Sequence, residues 1–274
     1  MTPRGSSSHK GAHRKPRPWP SRFARRSFLL GGGAVVAGTA VTGLSPAGSA
    51  ASWWAAMIED GSARSSPQTL RQQSSPGSRD VADAGRGAGR PRVYTTQEWG
   101  ARGPERRPTV HRRPPRYIVV HHTFTKNYDD PSVDHGFWLA RAIQRAHFGR
   151  GWPDTGQHFT ISRGGHVMEG RTGSLAAALA GHMVVGTQVR GANDYTVGIE
   201  CEGTYNTVLP PRPLLASLVE MCAWLCTRYD LDPRTAIVPH MRFNDTDCCG
   251  YRFAPTLPKL RAQVARAMDA RSTR

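Results

Sequence analysis

The sequence predicts a single α/β domain with a mixed central β-sheet flanked by helices on both faces. Two observations lead to this prediction. Short apolar runs typical of strands alternate with longer segments whose apolar residues recur at helical spacing. The pair Gly164-Gly165 lies between two strand-like runs and indicates a hairpin. A hairpin places one antiparallel pair in a sheet whose other strands are joined through helices, so the sheet is expected to be mixed.

The predicted domain occupies residues 93–274, and two segments of different composition precede it. In residues 1–51, the twin arginine Arg25-Arg26 leads into a short apolar run that ends in small residues. This pattern is typical of a twin-arginine export signal cleaved at Ala50 or Ala51, with an uncleaved membrane anchor as the alternative. Residues 52–92 are rich in Ser, Gly, Ala, Arg and Pro, and we interpret them as a flexible linker.

The formal net charge of the 274 residues is +17. Residues 1–50 hold eight Lys or Arg and no Asp or Glu, so cleavage of the export signal leaves a net charge of +9. This remainder fits attraction to an anionic cell envelope, although it would also fit weak nucleic-acid binding. No zinc-finger, helix-turn-helix or aromatic RNA-binding signature accompanies it, so we expect no nucleic-acid partner. Membrane contact is expected only transiently, through the export signal.

The first elements of the domain are a strand and a helix. Trp99 is expected to anchor the core, and an apolar strand covers residues 117–122. Cap and proline chemistry at Asp130-Pro131-Ser132 predicts a helix start. The expected inner face of this helix comprises Val133, Phe137, Leu139, Ala140, Ile143 and Ala146.

The later elements follow the same alternation. Residues 176–193 are expected to form a long loop, with or without a short helix, that shapes a binding groove. A strand is expected over residues 195–203, followed by a helix from Pro213 to Asp230. Ile237-Val238 then forms a short strand before a closing helix over residues 257–268.

Polar imidazoles end the first long strand, because Tyr117-Ile118-Val119-Val120 is followed by His121 and His122. Far downstream, His240 is followed eight residues later by Cys248. One strand histidine with His240 and Cys248 would supply three zinc ligands and leave a fourth position open for water. The alternative is that the histidines only form hydrogen bonds and that the cysteine is a buried apolar residue.

All five cysteines of the chain lie in the predicted domain. Their odd number leaves at least one outside any intramolecular disulfide. Cys222 and Cys226 have helical i,i+4 spacing on an apolar face, where buried free thiols are expected. Whether Cys201, Cys222, Cys226 and Cys249 form disulfides stays open.

Several ordered motifs of the domain resemble those of one known family. They are Glu98-Trp99-Gly100-Ala101-Arg102, Val120-His121-His122-Thr123, Gly151-Trp152 with Asp154 and Gly156, Glu169-Gly170-Arg171, Gly198-Ile199-Glu200, and His240 with Cys248. Together they resemble the type 2 N-acetylmuramoyl-L-alanine amidases, which share a zinc-dependent fold with peptidoglycan recognition proteins. The likeness covers nearly all of residues 93–262.

The resemblance implies a zinc amidase domain that hydrolyses the amide between the lactyl group of muramic acid and L-alanine. It selects His121, rather than His122, as the zinc ligand beside His240 and Cys248. Family members that only recognise peptidoglycan typically lack the cysteine ligand, so Cys248 favours an enzyme. A non-catalytic peptidoglycan-binding module is the alternative, and Cys249 is a rival ligand.

The catalytic residues implied by the resemblance are Glu200 and Thr246. Many members carry a catalytic tyrosine at the position of Gln157, which cannot transfer a proton. Another branch of the family uses a glutamate at the position of Glu200, so Glu200 is expected to act as general base and acid, or else only as a hydrogen-bond acceptor. Thr246 matches a residue that supports the transition state, its alternative being a turn-stabilising hydroxyl.

The remaining histidines receive smaller roles. His122, His158 and His182 are expected to contact substrate in the groove, together with Gln157; for His122 and His158 the alternative is that they only pack within the fold. The others are expected at the surface: His111, His135, His147 and His166. With peptidoglycan as partner and Zn²⁺ as cofactor, the export signal implies a secreted or cell-wall-associated protein.

Overall fold

A computed structural model describes residues 90–272 of the chain. The predicted export signal and nearly all of the predicted linker lie outside these residues. Eight strands occur in the described part, with these bounds: β1 Val93–Tyr94, β2 Val110–His111, β3 Tyr117–His122, β4 Phe159–Ile161, β5 Val167–Glu169, β6 Met183–Val184, β7 Thr196–Cys201 and β8 Ile237–Pro239. Five α-helices accompany them: α1 Val133–Gly149, α2 Ser174–Leu179, α3 Arg212–Tyr229, α4 Pro233–Ala236 and α5 Leu257–Ser272.

Six strands form one sheet in the order β1-β5-β4-β7-β3-β8. The only antiparallel pair described in this sheet is β4 with β5, which is the hairpin that Gly164-Gly165 predicts. The other neighbours are parallel. The mixed sheet with packed helices confirms the predicted fold class.

Strand β3 lies inside the sheet, between β7 and β8. Its apolar residues Ile118, Val119 and Val120 are fully buried, as expected for a strand covered on both faces. The register continues past them, so that His121 lies opposite Glu200 on β7. The strand thereby brings its terminal histidines to the carboxyl edge of the sheet, next to a carboxylate from its neighbour.

Helix α1 begins where the sequence predicts, because the Ser132 side chain caps it by accepting the backbone N–H of His135. Two expected surface histidines of this helix are instead enclosed. His147 is buried and stacks on Trp152 with ring centroids 4.5 Å apart. The His135 imidazole contacts the buried Glu202 carboxylate at 2.5 Å. The surface expectation was wrong for both, because each ring has a specific partner that helical spacing does not reveal.

The main core lies between the sheet and helices α3 and α5. Cys222 and Cys226 are buried on α3 and free, as expected for thiols on its apolar face. Cys201 and Cys249 are also buried and free. None of the helices in the described part is both long and apolar enough to cross a membrane.

Residues 176–193 contain the end of helix α2 and the short strand β6, which pairs with β2 in a second, two-stranded sheet. Neither β2 nor β6 is predicted by the sequence, since two residues are too few to show a period. The segment then runs back over the carboxyl edge of the main sheet, where Thr187 and Gln188 line a cavity.

Candidate active site

Three side chains from distant parts of the chain converge at the carboxyl edge of the sheet. His121 ends β3, His240 begins the short 3-10 helix after β8, and Cys248 follows eight residues later. One ligand atom from each lies within 4.8 Å of the others. The parallel pairing of β3 with β8 produces this convergence, because both strands end at the same edge.

The separation of two ligand atoms in the triad fits a tetrahedral zinc ion. Cys248 Sγ lies 3.5 Å from His121 Nδ1. Zn–S and Zn–N bonds of about 2.3 and 2.05 Å at a tetrahedral angle separate the two ligand atoms by about 3.6 Å. Burial lowers the pKa of His121 well below its ordinary value and also lowers that of His240, so both imidazoles are neutral, as metal ligands must be.

The thiol of Cys248 is buried among the same residues. Burial raises its pKa well above the ordinary value, while the backbone N–H of His122, which donates to Sγ at 3.3 Å, lowers it. A bound cation favours the thiolate, which is the form that binds metal. The donor set therefore fits Zn²⁺ in ligand type and in spacing.

A hydrogen-bond chain selects the tautomer of His121. Its Nε2 lies 2.5 Å from Gln188 Oε1, and Gln188 Nε2 donates to Thr196 Oγ1 at 2.7 Å. The Thr196 hydroxyl in turn donates to the carbonyl of Ala192. The side-chain oxygen of Gln188 can only accept a hydrogen bond, so Nε2 of His121 must carry the proton. The lone pair on His121 Nδ1 is then directed at the metal position.

His240 is oriented in the same way by a nearby amide. Its Nε2 lies 2.9 Å from Asn244 Oδ1, which also accepts the backbone N–H of Arg190. Since Oδ1 is the acceptor, His240 Nε2 donates, and Nδ1 keeps its lone pair. Asn244 thus connects the loop that carries His240 and Cys248 to the segment that carries Gln188.

A cavity of about 280 Å³ opens beside the triad. Its lining includes Glu200, whose Oε2 is buried and has no hydrogen-bond partner among the described residues. Burial raises the pKa of Glu200 to about 8, against the opposing effect of the Arg150 charge. A carboxyl group with a pKa near neutrality can both take and give a proton.

Three other residues singled out in the sequence also line this cavity. Gln157 donates from Nε2 to Thr160 Oγ1 at 2.9 Å, and its buried Oε1 has no partner in the described part of the chain. Thr246 accepts the backbone N–H of Cys248 at 3.3 Å, which fits the turn-stabilising alternative and leaves its hydroxyl hydrogen available. His122 accepts the backbone N–H of Tyr205 at 3.3 Å through Nδ1.

Two predicted groove histidines do not line the cavity. His158 is buried between strands, where Nε2 donates to the carbonyl of Val184 at 2.7 Å and Nδ1 accepts the N–H of Gly198 at 3.0 Å. Both of its ring nitrogens are therefore used within the fold. His182 lies before β6, and its carbonyl accepts the hydroxyl of Tyr229.

Asp154 and Arg171, which belong to two other family-like motifs, form hydrogen bonds that hold together segments next to the cavity. The Asp154 carboxylate accepts the backbone N–H groups of Thr155 and Thr172, each within 2.8 Å. Arg171 is buried and donates to the Thr155 carbonyl and the Thr187 hydroxyl. These bonds hold the segment before β4 against the segment that carries Thr187 and Gln188.

Several cavity residues, among them Gln188, Arg150, Trp152 and His147, were not singled out as site residues from the sequence. Gln188 and Arg150 lie in segments without a metal or catalytic pattern, Trp152 was noted only as part of a family motif, and His147 was expected at the surface. The sequence identified the segment of Gln188 only as part of a groove-shaping loop over residues 176–193, and no motif singled out Gln188 itself. Arg150 and Trp152 flank Gly151, whose positive φ of 74° turns the chain toward the cavity.

The sequence of this domain is similar to that of known proteins. The family model Amidase_2, described as N-acetylmuramoyl-L-alanine amidase, matches residues 111–251. Peptidoglycan-recognition protein LB of Drosophila melanogaster is 30% identical over 175 residues, which cover 62% of this chain and 69% of that protein. Human N-acetylmuramoyl-L-alanine amidase is 29% identical over 68% of this chain, which spans only 32% of the human protein.

Solved structures show the same fold. Wild-type Drosophila PGRP-LB superposes with a TM-score of 0.52 at 27% identity, covering 61% of this chain and 92% of that one. A PGRP-LB variant in complex with tracheal cytotoxin superposes equally, with a TM-score of 0.52 at 27% identity over 62% of this chain and 95% of the other. The amidase LysCS from Clostridium intestinale reaches a TM-score of 0.51 at 23% identity, covering 65% and 99% of the two chains.

Proposed function

Because this chain belongs to the Amidase_2 family of N-acetylmuramoyl-L-alanine amidases, we propose that it is a zinc-dependent enzyme. It hydrolyses the amide between the lactyl group of muramic acid and L-alanine in peptidoglycan. The observation that carries the proposal is the triad of His121, His240 and Cys248, with ligand atoms within 4.8 Å, at the wall of a cavity that also contains Glu200.

Peptidoglycan as the substrate is supported by the relatives. Four of the similar proteins are peptidoglycan-recognition proteins by name. PGRP-LB has been solved with tracheal cytotoxin, which is a monomeric diaminopimelic acid-type peptidoglycan. The cavity of about 280 Å³ is open at the surface and holds polar groups on several sides, as a site for a peptide amide requires.

The residues divide the work of amide hydrolysis between them. A zinc ion held by the triad would polarise the carbonyl and lower the pKa of a water molecule. Glu200 Oε2 accepts a proton from the attacking water and returns it to the nitrogen of the leaving L-alanine. Gln157 Oε1 accepts a hydrogen bond from water or from the substrate amide and so orients it. The Thr246 hydroxyl, whose oxygen already accepts Cys248 N–H, donates toward the developing oxyanion.

The recognition alternative retains binding without cleavage. It draws its support from Gln157, which stands where many family members have a catalytic tyrosine. The complete ligand triad favours the enzyme, and so does the buried Glu200 oxygen, which has no hydrogen-bond partner among the described residues, since a binding module has no use for a proton carrier at the scissile bond.

Digestion of purified peptidoglycan tests the proposal directly. The protein is incubated with the polymer, and new L-alanine amino groups are quantified with mass spectrometry of the released peptides. We expect release that stops with a zinc chelator and returns when zinc is added. Binding to peptidoglycan without any release by the zinc-loaded protein would establish the recognition alternative instead.

We further propose export by the twin-arginine route to the cell wall or beyond. Residues 1–51, which carry the proposed signal, lie outside the described residues. N-terminal sequencing of the protein recovered from the wall and medium is expected to begin after Ala50 or Ala51. An Arg25→Lys, Arg26→Lys double variant should remain in the cytoplasm, and normal export of that variant would refute the route.

A further inference from the structure

A second concave surface lies away from the triad, at the start of strands β3 and β8. It encloses about 420 Å³ and is lined by four arginines: Arg116, Arg234, Arg242 and Arg261. We call it the arginine cavity. Arg116 directly precedes β3, five residues before His121, so about 16 Å of extended strand separates them. Arg242 is only two residues from His240, but the arginine cavity and the cavity beside the triad share no described lining residue, so the two sites are distinct.

Contacts with neutral groups orient three of the guanidinium groups. Arg261 donates from Nε to the carbonyl of Ile237 at 2.8 Å, which leaves its two Nη groups for other partners. Arg242 lies over the ring of Tyr117 at 5.3 Å, and Arg116 lies over that of Tyr195 at 5.8 Å. Aromatic faces and a carbonyl hold these side chains in place without neutralising their charge.

None of the described residues that line the arginine cavity carries a carboxylate. Arg234 itself forms an ion pair with Asp232 at 3.7 Å. Because both side chains are exposed to solvent, this pair does little to neutralise the charge of Arg234. Burial lowers the pKa of Arg261, and the charge of Arg242 lowers it further. Four like charges in one concave surface repel one another, and a bound anion would offset this repulsion.

We propose that the arginine cavity binds a phosphate-bearing anion. A phosphate group presents several oxygens, so it can accept from more than one guanidinium fork at once, whereas a carboxylate presents two. The volume also exceeds that of one phosphate, and it can hold a pyrophosphate or successive phosphates of a polymer. Such a site would hold the protein at a phosphate-rich polymer while the active site works elsewhere.

Isothermal titration of the full chain tests the site with three probes: pyrophosphate, poly(glycerol phosphate) and polyglutamate. We expect both phosphate probes to bind if the ligand is polymer-borne, and pyrophosphate alone if it is a free anion. Either result supports the proposal. Absence of binding to both phosphate probes, or equal affinity for polyglutamate, would overturn it.

Matched variants separate the arginine cavity from general basicity. The Arg116→Gln, Arg234→Gln double variant removes two cavity charges, and Arg145→Gln, Arg266→Gln removes two exposed charges from elsewhere on α1 and α5. We expect the first to weaken phosphate binding at least about tenfold and the second less than about twofold. Equal losses in both would refute a specific site. Because binding is measured without turnover, the result is independent of whether the chain is an amidase.

Discussion

His121 donates a hydrogen bond from Nε2 to the side-chain oxygen of Gln188 at 2.5 Å, which leaves Nδ1 on the side of Cys248. The two residues are 67 positions apart, and Gln188 belongs to a loop segment with no recognisable motif. Their contact determines which ring nitrogen can bind metal. The loop therefore acts on the metal site through an amide, in the position often held by a carboxylate or carbonyl.

Replacing Gln188 with Ala is expected to weaken zinc binding by about 10- to 100-fold, because His121 loses the acceptor that fixes its tautomer. Competition with a chromogenic chelator measures the zinc affinity. Gln263→Ala, at an exposed position of α5, provides the control and should bind zinc like the original protein. Unchanged affinity in Gln188→Ala would show that the tautomer needs no such support.

Replacing Glu200 with Gln is expected to lower kcat about 10²- to 10⁴-fold, because an amide of the same shape cannot carry a proton. Zinc content and peptidoglycan binding should be retained, since Glu200 is not a member of the metal triad. Zinc analysis, polymer pull-down and L-alanine release are measured on one preparation. Near-original release of peptide would exclude Glu200 as the proton carrier.

The stability of the fold should decrease in acid through His158. Burial lowers its pKa to about 4 from an ordinary 6.5, so the neutral ring is favoured in the folded state. Its stabilisation is complete above pH 6.5 and is lost as the pH falls toward 4, because the ring of the unfolded chain gains a proton while the folded ring, whose Nδ1 accepts Gly198 N–H, stays neutral. The difference amounts to about 3 kcal/mol.

Urea unfolding of the original protein and of His158→Gln between pH 4 and 7 measures this effect. The variant should be less stable at pH 7 and should lose less stability on acidification. His182→Gln is the control, because its side chain is outside the contact between β4 and β7. Equal pH slopes in the original protein and His158→Gln would contradict the assignment.

Replacing Gly164 with Ala should destabilise the fold by at least about 2 kcal/mol through overpacking. An added Cβ would lie 2.0 Å from the carbonyl oxygen of Pro131, and backbone cannot move aside by changing rotamer. Gly103→Ala is the matched control, since a Cβ there meets no atom within 4 Å. Thermal unfolding compares the two, and equal midpoints would mean that the β4–β5 turn can shift away from Pro131.

Much of the architecture was predictable because it depends on local periodicity. The strand of Ile118 to Val120, the capped helix after Ser132 and the Gly164-Gly165 hairpin each leave a signal within a few residues. The candidate triad was also visible as residue types, although the choice of His121 over His122 came from the family resemblance. The enclosed positions of His135 and His147 were missed, since a helical pattern does not show which polar side chain meets a partner.

The sequence by itself determined the mixed α/β fold and supplied the residue types of a zinc site. Only the tertiary structure decided which atoms meet: His121 with Gln188, His240 with Asn244, and Glu200 with an open cavity. It also placed His158 in a strand contact and gathered four arginines from distant segments. The physical reason is that the spacing of apolar residues within one helix or strand shows which of its faces is buried. A hydrogen bond or a cluster of charges instead depends on which separate helices, strands and loops come to lie next to one another in the folded chain.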